Sequence, residues 1–169
     1  PSIIYGLFGM IFFVVFLKWD YSLMAGAATA AIMVLPTILS TTKEALDAVP
    51  DSYREGSFAL GTGKLRTIFK VVLPAAVPGI LSGIILAIGR IVGETAALLY
   101  TSGTATRGLS KGLMSSGRTL AVHMYTISSE GFHTKQTFAT AVILLIFVFI
   151  INTLSSVAAK QISKKAGGQ

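Results

Sequence analysis

The chain has 169 residues, of which 53% are hydrophobic and only 12% are charged. Soluble domains average about 45–50% apolar and about 25% charged residues, so this composition excludes an ordinary soluble domain and indicates an integral membrane protein. The sequence contains no cysteine, which excludes a disulfide framework and a thiolate metal site. The net charge of +7 is therefore interpreted through membrane topology rather than nucleic-acid binding.

Four apolar segments are candidates for membrane-spanning helices, which need about 20 residues each. The first is short, and the chain begins at Pro1 rather than at Met and already in an apolar run, so we expect the N-terminal part of the protein to be missing. The second is rich in small residues, which predicts close packing against other helices. The four predicted spans cover residues 3–17, 22–39, 74–100 and 137–157.

The polar segments between the spans predict the orientation. Residues 41–70 hold five basic residues and the C-terminal tail holds three more, Lys165 among them. With four spans these two segments share one side, and the positive-inside rule places that side in the cytoplasm. The segment 102–136 is then outside, and its residues 120–125 are interpreted as an interfacial helix or a re-entrant piece. The basic residues of this outer loop are Arg107, Lys111, Arg118 and Lys135.

The polar segment 41–70 predicts more structure than an ordinary loop. Its sequence is typical of two short helices, over residues 42–48 and 53–60, the second of which ends at Gly61. A third helix then leads into the next span. A helix–glycine–helix unit that carries both charged and apolar side chains is suited to docking on a soluble partner.

One spacing in this segment is specific. The chain has Glu55-Gly56-Ser57, then Gly61 after three residues, then Val71-x-Leu73-Pro74 after nine more. This spacing resembles the EAA motif of ABC importer permeases, which reads E-A-A, three residues, G, nine residues, I-x-L-P. The departures are Gly56 and Ser57 in place of two alanines and Val71 in place of isoleucine. Gly56 is expected to weaken its helix by about 1 kcal/mol relative to alanine.

Residues 49–55 and 90–99 narrow the resemblance to the phosphate-specific permease subunits of this family. The resemblance implies an all-α, polytopic transmembrane helical bundle, the core of a type I ABC importer permease, as a single domain over residues 1–169. It also implies a subunit of an ATP-driven importer that moves inorganic phosphate across the cytoplasmic membrane. The alternatives are a permease for another oxyanion, such as phosphonate, molybdate or sulfate, or a membrane scaffold or channel without ATP coupling.

The resemblance further implies the partners, which are an ATPase dimer, a second permease subunit and an extracytoplasmic phosphate-binding protein. ATP and Mg²⁺ would be bound by the ATPase, with no cofactor on this chain. The chain has no Walker A sequence, so we predict that it is not itself an enzyme. His123 and His133 are too few for a zinc site, and no metal site is predicted. The resemblance assigns ATPase coupling to Glu55, Gly56, Ser57, Gly61, Leu73 and Pro74.

Arg90 and Glu94 are charged residues four positions apart in the third apolar segment. On one continuous helix they would share a face, and ionisable residues at membrane depth usually face a cavity or a partner. In one interpretation they line a translocation path, and the guanidinium of Arg90 binds an oxyanion. In the other they neutralise each other and fix helix packing. We assign Arg90, Glu94 and Thr95 to the path as a hypothesis, with the second interpretation left open.

Overall fold

The computed structural model describes residues 1–105, 112–131 and 134–167, with side chains as far as Lys164. All regular structure in these ranges is helical, which confirms the all-α prediction. The helices are α1 Ser2–Gly9, α2 Leu23–Asp47, α3 Asp51–Ala59, α4 Lys64–Thr67, α5 Leu73–Val92, α6 Ala96–Leu99, α7 Leu120–Glu130 and α8 Thr134–Gly167. Arg107, Lys111, His133 and the side chain of Lys165 lie outside the described residues.

Two π-helical turns extend these helices. Met10–Phe16 continues α1, and Ile68–Val72 joins α4 to α5. The second turn lies directly before Pro74, whose ring would clash with the carbonyl of Lys70 in a regular α-helix. A π turn widens the backbone at that place, so the helix continues from Lys64 to Val92 in spite of the proline.

Within the described residues, three helices are long and apolar enough to cross a membrane, namely Leu23–Asp47, Lys64–Val92 and Thr134–Lys164. The first predicted span corresponds to the shorter apolar helix Ser2–Phe16. The third predicted span is wrong at its C-terminal end, because the helix stops at Val92 and Ala96–Leu99 is a separate helix. The glycine at position 93 and the polar residues after it interrupt the helix there.

The polar segment starts inside a spanning helix rather than in a loop. α2 runs unbroken to Asp47, so the separate helix predicted over residues 42–48 is wrong. The change from apolar to polar composition after Leu39 does not end the helix, because no glycine or proline lies between Pro36 and Asp47 to interrupt its backbone hydrogen bonds. Pro50 then begins a new helix as the N-cap of α3.

Pro1–Leu35 and Gly89–Ile150 form one compact unit of the chain. Its α2 residues Ala25 and Ala30 are buried, which confirms the close packing predicted from the small residues. Ser22 accepts a hydrogen bond from the backbone N–H of Ala25 at 3.2 Å and so caps the start of α2. Two clusters form the interior of this unit: Phe13, Val14 and Ala25, and Ala30, Leu98 and Val122.

Pro36–Ile88 and the chain from Ile151 onward form the second compact unit. The end of α2 packs here against the start of α5, and a Cβ added to Gly79 would lie 2.6 Å from the Cβ of Ala45. The buried cluster of this unit consists of Val49, Val72 and Ala76, with Ala45, Leu46 and Ile80 packed against it. Val49 precedes α3 and Val72 follows α4, so this core includes residues on both sides of the α3–α4 segment. The single-domain assignment for residues 1–169 stays a prediction.

Candidate functional site

The turn between α3 and α4 is built around Gly61, whose φ is +78°. The Gly61 N–H donates to the carbonyl of Phe58 at 2.9 Å, and the Thr62 N–H donates to the carbonyl of Ser57 at 3.3 Å. This pair of bonds is a Schellman C-cap, in which glycine is favoured because a Cβ is strained at positive φ. Gly61 thus forms the turn that the sequence predicts.

Three hydroxyl groups join α3 to α4 across this turn. Ser57 Oγ and Thr67 Oγ1 are 2.9 Å apart, and Thr62 Oγ1 is within hydrogen-bond distance of both. Thr67 and Ser57 are both buried. The EAA motif has alanine at the position of Ser57, and an alanine could not make these bonds. In this chain, hydrogen bonds between hydroxyl groups therefore connect α3 to α4 at the motif. Sequence reasoning missed Thr62 and Thr67, because their spacing matches no regular periodicity.

Arg54 connects α3 to the end of α2. Its Nη1 donates to the carbonyl of Val49 at 3.2 Å and its Nη2 donates to the carbonyl of Leu46 at 3.0 Å. Nη1 also forms an ion pair with Asp51 at 2.6 Å. The last carbonyls of a helix have no partner within the helix, so a cation placed there is favourable. Sequence reasoning did not assign Arg54, although a basic residue shortly after a helix end is a usable signal.

Several apolar side chains between the start of α3 and the π turn Ile68–Val72 are exposed. Leu60 is 85% exposed and Leu65 is 72% exposed, and Tyr53, Phe58 and Phe69 are also exposed. Glu55 and Gly56 lie on the exposed part of α3. The side chain of Glu55 makes no hydrogen bond or ion pair with another described residue. We call the exposed side chains around this turn, namely Tyr53, Glu55, Phe58, Leu60, Leu65 and Phe69, the turn face.

Leu73 and Pro74 are half-buried and lie at the start of α5. They follow the turn face in the unbroken helix Lys64–Val92. The segment after Gly61 is thus continuous with a helix long enough to span a membrane.

Arg90 and Glu94 do not lie on one continuous helix, so the prediction of a shared helical face is wrong. α5 ends at Val92, and Glu94 Oε1 accepts a hydrogen bond from the backbone N–H of Ala97 at 3.1 Å. Glu94 is 8% exposed, whereas Arg90 is exposed and forms no ion pair with any described residue. The physical reason is that the carboxylate caps the start of α6, a role that competes with continued helix. Thr95 lies half-buried directly before α6.

His123 lies in α7, outside the candidate spans. Burial and the positive charge of Arg118 both lower the pKa of its imidazole below the usual value of 6.5. The neutral form of His123 is therefore favoured in the folded chain. α7 is capped by Thr119, whose side chain accepts from the backbone N–H of Val122, and ends at Gly131 with a φ of +71°. Residues 120–125 thus lie in a helix that runs to Glu130, and whether it is interfacial or re-entrant stays a prediction.

Comparison with known proteins gives relatives over most of the chain. A probable ABC transporter permease protein, YqgI, from Bacillus subtilis is 36% identical over 143 residues, covering 78% of this chain and 49% of that protein. The phosphate transport system permease protein PstA from Yersinia pestis is 41% identical over 160 residues, covering 93% of this chain and 53% of its own length. A phosphate transport system permease protein PstA homolog from Mycoplasma pneumoniae is 38% identical over 167 residues, covering 92% of this chain and 25% of that protein.

The chain therefore spans between a quarter and about half of the length of these relatives. No solved structure matches it. The family model described as binding-protein-dependent transport system inner membrane component matches residues 1–167, nearly the whole sequence. Together with the three apolar helices, this match shows that the chain is an integral membrane protein that belongs to the family of binding-protein-dependent transport system inner membrane components.

Proposed function

We propose that this chain is part of the permease subunit of an ATP-driven importer that moves inorganic phosphate across the cytoplasmic membrane. The observation that carries the proposal is the turn face. It exposes large apolar side chains and a carboxylate that has no partner among the described residues, on a segment whose own hydrogen bonds hold it in place. Relatives named as phosphate transport system permease proteins support the choice of substrate.

The partner at the turn face is a cytoplasmic ATPase. Burying an exposed leucine stabilises an interface by about 1.5–3 kcal/mol, so Leu60 and Leu65 supply much of the docking energy. Glu55 supplies a charge-assisted hydrogen bond to a donor on the ATPase. ATP and Mg²⁺ are bound and hydrolysed on the ATPase, and this chain carries no cofactor.

The remaining partners follow from the same assignment. A second permease subunit completes the pore, and an extracytoplasmic binding protein delivers phosphate to it. The chain crosses the inner membrane several times, with residues 41–70 and the C-terminal tail on the cytoplasmic side. Five basic residues in 41–70 and three in the tail, against four in residues 102–136, support this orientation.

Arg90, Glu94 and Thr95 belong to the translocation path in this proposal. Arg90 forms no ion pair with the described residues, so its guanidinium is available to a tetrahedral oxyanion. This favours the path-lining interpretation over mutual neutralisation of Arg90 and Glu94. Glu94 holds the backbone after the helix break through its bond to Ala97.

Co-purification tests the ATPase assignment. We expect Leu60→Ser and Glu55→Lys, each made in the full-length permease, to reduce recovery of the ATPase strongly, because each alters the turn face. The matched control is Leu113→Ser, which changes a leucine that is 64% exposed in the segment predicted to face outward. Unchanged recovery of the ATPase with Leu60→Ser and Glu55→Lys would contradict the docking role.

Uptake of labelled phosphate into proteoliposomes tests the substrate. We expect ATP-dependent uptake that arsenate inhibits and sulfate does not, since arsenate shares the charge and protonation of phosphate. ATP-dependent uptake of sulfate or molybdate instead of phosphate would assign the permease to another oxyanion. Phosphate movement without ATP would indicate a channel.

A further inference from the structure

We propose that Arg54 is a positioning residue that makes α3 move together with the end of α2. In the importer it would keep the helix that docks on the ATPase fixed to a spanning helix. The mechanical part rests on the proposed function, whereas the fastening of α3 to α2 stands on the geometry alone.

The guanidinium spans the link between the two helices. α2 ends at Asp47 and α3 starts at Asp51, so the linker is too short to fold by itself but long enough to act as a hinge. Arg54 reaches back over this linker to the carbonyls of Leu46 and Val49. Its side chain is 32% exposed, against 82% for its ion-pair partner Asp51. The partly buried contacts of Arg54 are therefore those to the backbone of α2 and the linker.

α3 is otherwise weakly attached at this end. In α3, Ser57 is the one buried residue, and its hydroxyl faces the α4 side through Thr62 and Thr67. The side-chain hydrogen bonds that the described residues show from α3 toward α2 come from Arg54 alone. Arg54 and the hydroxyl cluster thus hold α3 at opposite sides, and removal of Arg54 frees one side while leaving the Gly61 turn intact.

The geometry requires a fork of donors rather than a positive charge. Two nitrogens of one planar group reach two different carbonyls and a carboxylate at once. Lysine carries a compact charge on one atom and cannot hold both carbonyls in this arrangement. Replacement by lysine is therefore expected to restore the charge but only part of the fastening.

Distances between spin labels test the fastening without any assumption about transport. The sequence has no cysteine, so Glu44→Cys on α2 and Ala59→Cys on α3 place two labels at exposed positions. We expect Arg54→Ala to broaden the distance distribution at least twofold, with Arg54→Lys between the two. The control Lys43→Ala removes a positive charge from an exposed position on α2 and should leave the distribution unchanged. An equally narrow distribution with Arg54→Ala would overturn the proposal.

The assembled importer tests the consequence. With Arg54→Ala we expect the ATPase to remain bound while the number of ATP molecules hydrolysed per phosphate transported rises at least threefold, and Arg54→Lys to restore part of the ratio. An unchanged ratio would refute the mechanical role. Loss of ATPase binding with an unchanged distance distribution would make Arg54 an interface residue and also refute it. If the unmodified permease binds no ATPase, the proposed function fails, and the spin-label distances still decide whether Arg54 fastens α3.

Discussion

The turn at Gly61 and the break after Val92 both interrupt a helix near a glutamate, but different forces shape them. At the turn, glycine is required by a φ of +78°, and Glu55 is exposed without a partner among the described residues. At the break, Gly93 has no positive φ, and the nearby Glu94 is buried and hydrogen-bonded to the backbone. Backbone conformation decides the first interruption, and a buried carboxylate decides the second.

This difference separates what each glutamate can do. An exposed carboxylate retains its hydration until a partner replaces it, so Glu55 is suited to a contact with another protein. A buried carboxylate that accepts a backbone hydrogen bond is already committed to local structure. Glu94 therefore supports the chain at the break, whereas Arg90 is exposed there and has no ion-pair partner among the described residues, as the path-lining proposal requires.

Substitution of Glu94 tests the break, with the largest expected effect. Glu94→Ala removes the cap of α6, and we expect a loss of about 0.5–2 kcal/mol in stability together with loss of phosphate uptake. Glu94→Gln keeps an acceptor oxygen and should retain most of the stability. Thermal unfolding in detergent and uptake into proteoliposomes measure the two effects.

Arg90→Ala provides the matched comparison at the same site. Its side chain is exposed and unpaired among the described residues, so stability should stay within about 0.5 kcal/mol of the parent while uptake falls. Normal uptake by both Arg90→Ala and Glu94→Ala would contradict the path-lining proposal. A large loss of stability with Arg90→Ala would instead indicate a packing role.

Two glycine substitutions in the turn region should change stability in opposite directions. Gly61→Ala places a Cβ at positive φ and should cost about 1–2 kcal/mol. A Cβ added at Gly56 has no atom within 4 Å, and alanine is the residue of the EAA motif at this position. Gly56→Ala should therefore stabilise α3 by about 0.5–1 kcal/mol. Hydrogen exchange of the α3 amides measures both. Destabilisation by Gly56→Ala would show that the flexibility of α3, and not its rigidity, is what this segment needs.

The smallest effect is a dependence on pH that should appear at the break and not at the turn. The pKa of His123 is lowered in the fold, so the unfolded chain binds more protons as the pH falls through 6.5. Stability contributed by neutral His123 is therefore complete above pH 6.5 and is lost as the pH falls toward the lowered pKa. Val122 beside it packs with Leu98 of α6, so protection of the α6 amides should fall in the same range.

His123→Gln should remove this dependence on pH while leaving the packing of Val122 in place. Amide protection in α3, measured in the same samples, serves as the internal reference. Equal pH dependence in α3 and α6 would mean that another group titrates and would remove His123 from the explanation.

Much of the turn could be predicted because its determinants are local. Gly61 needs no partner to be recognised, since a glycine between two helical patterns marks a positive φ. Ser57 was assigned from its place in the motif, but its hydrogen bonds with Thr62 and Thr67 depend on how α3 folds back on α4. The geometry of the turn decides which side chains pair in this way, and residue spacing along the chain does not predict it.

The break shows where sequence reasoning went wrong. Four-residue spacing placed Arg90 and Glu94 on one face only under the assumption that the helix continued past Val92. Glycine and threonine beside a carboxylate offer an alternative set of backbone hydrogen bonds, and burial of the carboxylate makes that alternative the stable one. Apolar composition alone could not distinguish these two outcomes.

The sequence by itself determined the membrane class, the all-α architecture and the motif spacing around Glu55 and Gly61, because hydrophobicity and backbone conformation are properties of short segments. Only the tertiary structure decided the partners of the polar side chains: Arg54 on the carbonyls at the end of α2, Ser57 on Thr67, and Glu94 on Ala97. A polar group that leaves water needs a specific partner, and the fold alone determines which partner comes within reach.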